Sequence, residues 1–176
     1  MIKAIVYTSN TGTTAQYANL IGKRTGLPVY SLDKAKTTLE KASDIIYLGW
    51  LMAGTVKGIK KAQKLWKIRA VCAVGMGETG SQMSDVTKQN SLSPEIAVFT
   101  LRGGFDIDKL HGIYRFMMKT MQKTAGKALA NKADRTPDED IMLDMMQNGR
   151  NLVSEDNLSA FYNWYDGFQK TGESSR

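Results

Sequence analysis

Five short, mostly apolar runs punctuate the chain, and longer stretches with helical spacing or turn chemistry separate them. Residues 2–7 carry Ile2, Ala4, Ile5 and Val6, and residues 29–32 carry Val29, Tyr30 and Leu32. Residues 45–48 (Ile45, Ile46, Tyr47, Leu48) and 70–74 (Ala70 to Val74) are apolar without interruption, and residues 95–101 form the fifth run. Continuous rather than alternating apolar character is the mark of strands covered on both faces. Helical spacing appears at residues 13–24 (Ala15, Ala18, Leu20, Ile21), closed by Gly26 and Pro28. It recurs at residues 59–68 (Ile59, Ala62, Leu65, Trp66), more weakly at 83–90, and at 155–169 (Leu158, Phe161, Trp164, Tyr165, Phe168), where Ser154 is the expected cap. Residues 34–41 read as a polar connection and residues 49–58 as a loop. Strands alternating with helices predict an α/β fold with a doubly wound parallel sheet and right-handed crossovers. In such sheets ligands bind beyond the carboxyl ends of the strands.

The turn from the first strand into the first helix is Ser9-Asn10-Thr11-Gly12-Thr13-Thr14. A helix begins with unpaired N–H groups and the positive end of its dipole. Hydroxyl and amide side chains around one glycine add donors there, so the turn suits an anion such as a phosphate. Ser and Thr are also ordinary caps of a helix that binds nothing. No Lys follows Gly12, which excludes a nucleotide P-loop. One glycine in place of three excludes the dinucleotide fingerprint. A phosphate monoester held without lysine or metal suits the terminal phosphate of FMN.

Ser9, Thr11, Gly12 and Thr14 occupy the four defined positions of the pattern [T/S]-x-T-G-x-T, directly after the first strand. The stretch resembles the phosphate loop of flavodoxins. The resemblance implies a flavodoxin-like five-stranded parallel sheet of order 2-1-3-4-5, with FMN as cofactor. It assigns the ring to two further loops, Trp50, Leu51, Met52, Ala53 and Gly54, and Gly75, Met76, Gly77, Glu78 and Thr79. The aromatics that commonly stack on the flavin in that family fall near Ala53 and Ser81, so neither is present in its loop. Trp50 is the sole aromatic in either, and it could equally be tucked at the strand end. Loss of both walls would open a face of the ring to an organic substrate, with the redox chemistry supplied by the flavin itself.

The chain has 176 residues, 42% of them hydrophobic, with a formal charge of +7. That length fits one domain, residues 1–176, with a basic helical insertion at about 103–153. The lone Cys72 lies in an apolar run, and His111 is the single histidine, so a His/Cys metal centre is not expected. No serine lies in a nucleophile elbow, and no nucleic-acid motif is present. The positive charge contrasts with the acidity usual in flavodoxin-type carriers and points to an anionic surface, partner or substrate. No leader precedes the first strand and no run is long enough to span a bilayer, which suggests a cytoplasmic protein.

Residues 107–132 form the unusual segment. His111, Arg115, Lys119, Lys123 and Lys127 recur every four residues, while Leu110, Ile113, Tyr114, Met117, Met118 and Met121 supply an apolar face. Such a helix suits an anionic membrane or an acidic partner; it also suits a helix packed on the sheet with a solvated face. Asp138, Glu139, Asp140 and Asp144 follow, and they read as N-terminal acids of a helix over 141–147 rather than as metal ligands. With Leu101-Arg102-Gly103-Gly104, the run from Tyr114 to Lys119, and Ser154-Glu155-Asp156, the layout is similar to quinone-dependent protoporphyrinogen IX dehydrogenases. That resemblance implies electron transfer from a porphyrinogen to a membrane quinone in haem synthesis, with Arg102, Arg115 and Lys119 as candidate partners of substrate carboxylates. The loop at residues 50–56 lacks that family's basic and aromatic residues. A flavodoxin-type carrier serving a protein partner and a non-catalytic FMN-dependent docking module are the two alternatives.

Overall fold

The computed structural model describes residues 1–105, 109 and 112–173. In chain order the elements are β1 (Ala4–Thr8), α1 (Thr13–Thr25), β2 (Val29–Ser31), α2 (Leu32–Thr38), β3 (Asp44–Met52), β4 (Thr55–Val56), α3 (Ile59–Leu65), β5 (Lys67–Gly75), α4 (Met83–Gln89) and β6 (Ala97–Arg102). Then come β7 (Gly104–Phe105), α5 (Gly112–Met121), a π-helical turn (Gln122–Gly126), α6 (Lys127–Ala130), α7 (Pro137–Asn148), β8 (Arg150–Asn151), a 3-10 turn (Asp156–Leu158) and α8 (Ser159–Glu173).

The parallel strands run β2-β1-β3-β5-β6, which is the order 2-1-3-4-5 when parallel strands alone are counted. Each interior strand sends alternate side chains to opposite layers, and both layers are apolar. Ile5, Ile46, Leu48, Ala70, Cys72 and Val74 face α1 and α8, where Tyr17, Ile21, Phe161 and Tyr165 complete one core. Val6, Ile45, Tyr47, Val71 and Ala73 face the other way, onto Leu32, Ala35, Ile59, Ala62 and Val86 from α2, α3 and α4. This two-sided burial is the physical reason the strands read as unbroken apolar runs.

Four boundaries differ from the sequence reading. The stretch at 34–41 is not a plain connection, because α2 covers Leu32–Thr38. Ser31 Oγ accepts from Lys34 N at 3.3 Å, and Leu32 and Ala35, three apart, are its buried stripe. The stretch at 49–58 is not a loop throughout. β3 continues to Met52 and turns back as β4, with Leu51 opposite Val56 and Met52 opposite Thr55. The helix expected at 59–68 ends at Leu65, since Trp66 is extended (φ −137°, ψ 162°) and Lys67 opens β5. Helix α7 starts earlier than expected, at Pro137, with a reciprocal capping box between Thr136 and Glu139. Ser154 is not the cap expected for the last helix: the 3-10 turn that leads into α8 has Glu155 at its cap position without a side-chain cap, and Ser154 Oγ accepts from Asp156 N at 3.2 Å one residue ahead of it.

The segment after β6 leaves and returns at one place. Gly104 pairs with Asn151 and Phe105 with Arg150 in a two-stranded antiparallel ribbon. A polar cluster fastens that junction to the sheet. Asn157 Nδ2 donates to Tyr17 Oη (2.7 Å) and to Leu152 O (3.0 Å), while the Tyr17 hydroxyl donates to Arg102 O. Burial raises the Tyr17 pKa, so the phenol stays a donor at neutral pH. The positions Ile107, Leu110 and His111, and the side chains of Ile113 and Met118, lie outside what the structure describes.

Candidate functional site

Parallel pairing brings three strand ends to one edge. Thr8 pairs with Gly49, Gly49 with Ala73, and Ala73 with Thr100. The residues that follow β1, end β3 and follow β5 therefore emerge side by side. They surround a cavity of about 420 Å³, within the ~300–1,000 Å³ common for cofactor sites.

The first wall is the turn into α1. Asn10, Thr11, Thr13 and Thr14 line the cavity, whereas Ser9 and Gly12 face a neighbouring hollow. Gly12 sits at φ 99°, a left-handed conformation that lets the chain reverse tightly into the helix. Ser9 Oγ accepts from Ala15 N at 3.4 Å. No acidic side chain occupies the first turn of α1. Two buried donors in this wall, Asn10 Nδ2 and Thr14 Oγ1, have no protein partner. Thr14 is 1% exposed. An orphaned buried polar group costs about 1–3 kcal/mol, and two of them beside a helix N-terminus form a cradle that an anionic oxygen would satisfy.

The second wall is the β3–β4 hairpin. Trp50, Leu51, Met52, Ala53 and Gly54 all line the cavity. Its two tip residues, Ala53 and Gly54, have φ of 47° and 73°, as a hairpin turn of the I′ kind requires. The tip is clamped from α4. Gln89 Nε2 donates to Ala53 O (2.7 Å), Asn90 Nδ2 donates to Gly54 O (2.9 Å), and Asn90 Oδ1 accepts from Val56 N (2.8 Å). At φ 73°, Gly54 holds a conformation that side-chain-bearing residues rarely adopt, so the tip favours glycine there whatever the space around it. The third wall is the loop after β5, where Gly75, Met76, Gly77 and Glu78 line the cavity with Ser81 and Gln82. Thr79 does not. Its Oγ1 donates to Asn157 Oδ1 (2.9 Å) and accepts from Arg102 N (2.9 Å), which makes it a structural pin.

The fourth wall was not foreseen. Helix α5 lays Tyr114, Met117 and Met121 over the cavity. Trp50 meets Tyr114 edge-on, with centroids 5.3 Å apart and planes at 86°. An aromatic from a distant part of the chain thus lines the cavity beside Trp50. Arg102 is also not the free cation expected for substrate carboxylates. Its Nη2 lies 2.5 Å from Asp138 Oδ1, and its side chain is 16% exposed. Arg115 and Lys119 lie on α5 but do not line the cavity. Among the described residues, no cluster of metal-ligating side chains is present.

An open parallel sheet with unpartnered donors at its first turn, and a cavity framed by the next two strand ends, is the arrangement in which doubly wound α/β proteins hold their ligands. The family model described as Flavodoxin domain matches residues 4–130, and the chain belongs to that family. Flavodoxin domains bind FMN and transfer electrons. The match takes in α5 and stops before α7 and α8. Comparison with curated proteins and comparison with solved structures each found no match.

Proposed function

We propose that the chain is an FMN-dependent oxidoreductase that takes electrons from a reduced organic substrate, a porphyrinogen in the first instance, and delivers them to a quinone. The observation that carries the FMN assignment is the pair of unpartnered buried donors, Asn10 Nδ2 and Thr14 Oγ1, in the wall at the amino end of α1. They fit a phosphate in a site with neither lysine nor metal. The residues proposed to hold the cofactor are Ser9 to Thr14 at the phosphate, Trp50 to Gly54 and Gly75 to Glu78 around the ring, and Tyr114 across from Trp50. Bound FMN supplies the electron-accepting ring, while these side chains bind it, orient it and keep water from its face. The layout of the segment between β7 and β8 supports the porphyrinogen reading. So does the outward face of α5 and the π-helical turn after it, where Phe116 is 72% exposed and Lys119 and Lys123 are exposed as well. That face suits an anionic bilayer, where quinones reside. No described helix is long and apolar enough to cross a membrane.

An anaerobic titration of the FMN-loaded protein with protoporphyrinogen IX, followed by a menaquinone analogue, tests this reading. Bleaching of the flavin by the first and recovery with the second are expected. If neither reagent exchanges electrons, the chain is a carrier for a protein partner, which the family match favours.

A further inference from the structure

Beside the cavity lies a second hollow of about 810 Å³, on the other side of the turn at residues 9–12. The two share three residues, Asn10, Trp50 and Tyr114. The hollow is basic. Lys57, Lys60 and Lys61 line it, against one carboxylate, Asp33. That carboxylate is already engaged, since Lys36 Nζ lies 2.6 Å from Asp33 Oδ1. Hydrogen bonding to Lys36 and the charges of Lys36 and Lys61 hold Asp33 below the usual carboxylate range, so it stays ionised and paired. Lys57 is held over the aromatic wall, with its Nζ 5.6 Å from the Trp50 centroid and 5.9 Å from that of Tyr114. Ser31 and Thr55 add hydroxyls. Three lysines about a partly apolar hollow, with one carboxylate already paired to Lys36, leave the lining net positive and attractive to an anion.

We infer that this second hollow is a binding site for a planar organic anion, with its ring against Trp50 and Tyr114 and its carboxylate or phosphate on Lys57, Lys60 and Lys61. The proposal deepens the oxidoreductase reading. It gives the substrate class an acidic group and sets that group on the opposite side of the Trp50–Tyr114 wall from the FMN cavity. Rings of the occupant and of the cofactor would then share one aromatic partition. Lys57, rather than Arg102, becomes the residue that selects for charge.

The test uses FMN-saturated protein, so the first cavity is filled, and titrates it with 2-naphthoate and with its neutral isostere 2-naphthamide, followed by amide chemical shifts. Naphthoate is expected to bind about tenfold more tightly, the difference one charge-assisted contact makes. Shifts should centre on Ser31, Thr55 and Lys57, and the preference should shrink between 0.05 and 0.5 M salt, roughly the range over which such charges become screened. The triple variant Lys57→Gln, Lys60→Gln, Lys61→Gln should lose the preference while keeping its FMN absorbance. Equal affinity for the two probes, or a preference insensitive to salt in the unmutated protein, overturns the proposal whether or not the variant folds. A chain that never takes up FMN yet keeps the naphthoate preference overturns the oxidoreductase reading and leaves the anion site standing.

Discussion

Asn90 is the residue whose loss should most clearly separate the site's framework from its ligand contacts. It is 2% exposed and makes three bonds, donating to Gly54 O (2.9 Å) and Val86 O (2.8 Å) and accepting from Val56 N (2.8 Å). In Asn90→Ala the Val56 N–H, on a residue 1% exposed, is left without an acceptor. That costs about 1–3 kcal/mol. Gly54 is half-buried at the hairpin tip, so water replaces most of its lost bond. The small cavity left by the side chain adds roughly 1 kcal/mol. The sum is about 2–4 kcal/mol, readable as a lowered urea midpoint with an unchanged m-value. FMN affinity should also fall, by about tenfold, because the Trp50–Gly54 wall loses its clamp while the cradle at Asn10 and Thr14 is untouched. Titrations of folded variant and unmutated protein, both well below the unfolding midpoint, measure that. A stability loss under 0.5 kcal/mol, or FMN affinity unchanged in a clearly destabilised variant, would refute the idea that Asn90 positions this wall.

Three shorter predictions follow from other parts of the fold. Ala53 holds φ 47° without being glycine; Ala53→Gly should relieve about 1 kcal/mol and raise Tm by about 2–4 °C in a chain of this length, and an unchanged or lowered Tm would contradict it. Glu139 accepts from Lys132 Nζ (2.6 Å) and from Thr136 N (2.9 Å), and these contacts lower its carboxyl pKa. A lowered folded pKa means the stabilisation is present above the ordinary value near 4.5 and is lost as pH falls below it; the protection of α7 amides relative to their intrinsic exchange rates should therefore fall in that window, and Glu139→Gln should remove the pH dependence. Tyr114→Leu should leave the fold intact, since the ring is half-buried at the cavity, but raise the fluorescence of bound FMN by removing an aromatic quencher; no change would show that α5 does not cover the ring.

What could be read from sequence divides along a physical line. The strands were legible because burial on both faces makes runs such as Ile45–Leu48 and Ala70–Val74 apolar throughout. The turn into α1 was legible because a helix N-terminus is local, and its hydroxyl and amide side chains lie within six consecutive residues. Helix α2 was not, since seven residues, about two turns, with Leu32 and Ala35 inward are too few to show a period among its lysines. The β3–β4 hairpin was hidden by its glycines, as Gly49 and Gly54 look like loop punctuation; at Gly49 a Cβ would instead meet Val56 Cγ1 at 2.5 Å and Lys57 O at 2.7 Å. The contacts of Tyr114, Asn90 and Thr79 left no local signal, and Thr79, expected at the ring, does not line the cavity. Each acquires its role from a partner distant in the chain, Trp50, Val56 and Asn157 respectively.

The account rests on the anion cradle at the amino end of α1. Titration of the purified chain with FMN, set against Thr14→Val and the double variant Asn10→Ala, Thr14→Val, probes it most directly. Tight uptake with a yellow product is expected for the unmutated protein, weakened about tenfold by the first change and further by the second, as loss of one and then two phosphate contacts requires. Riboflavin, which lacks the phosphate, should bind weakly and equally to all three. A colourless protein, or one that binds FMN and riboflavin alike and ignores both substitutions, would contradict the account.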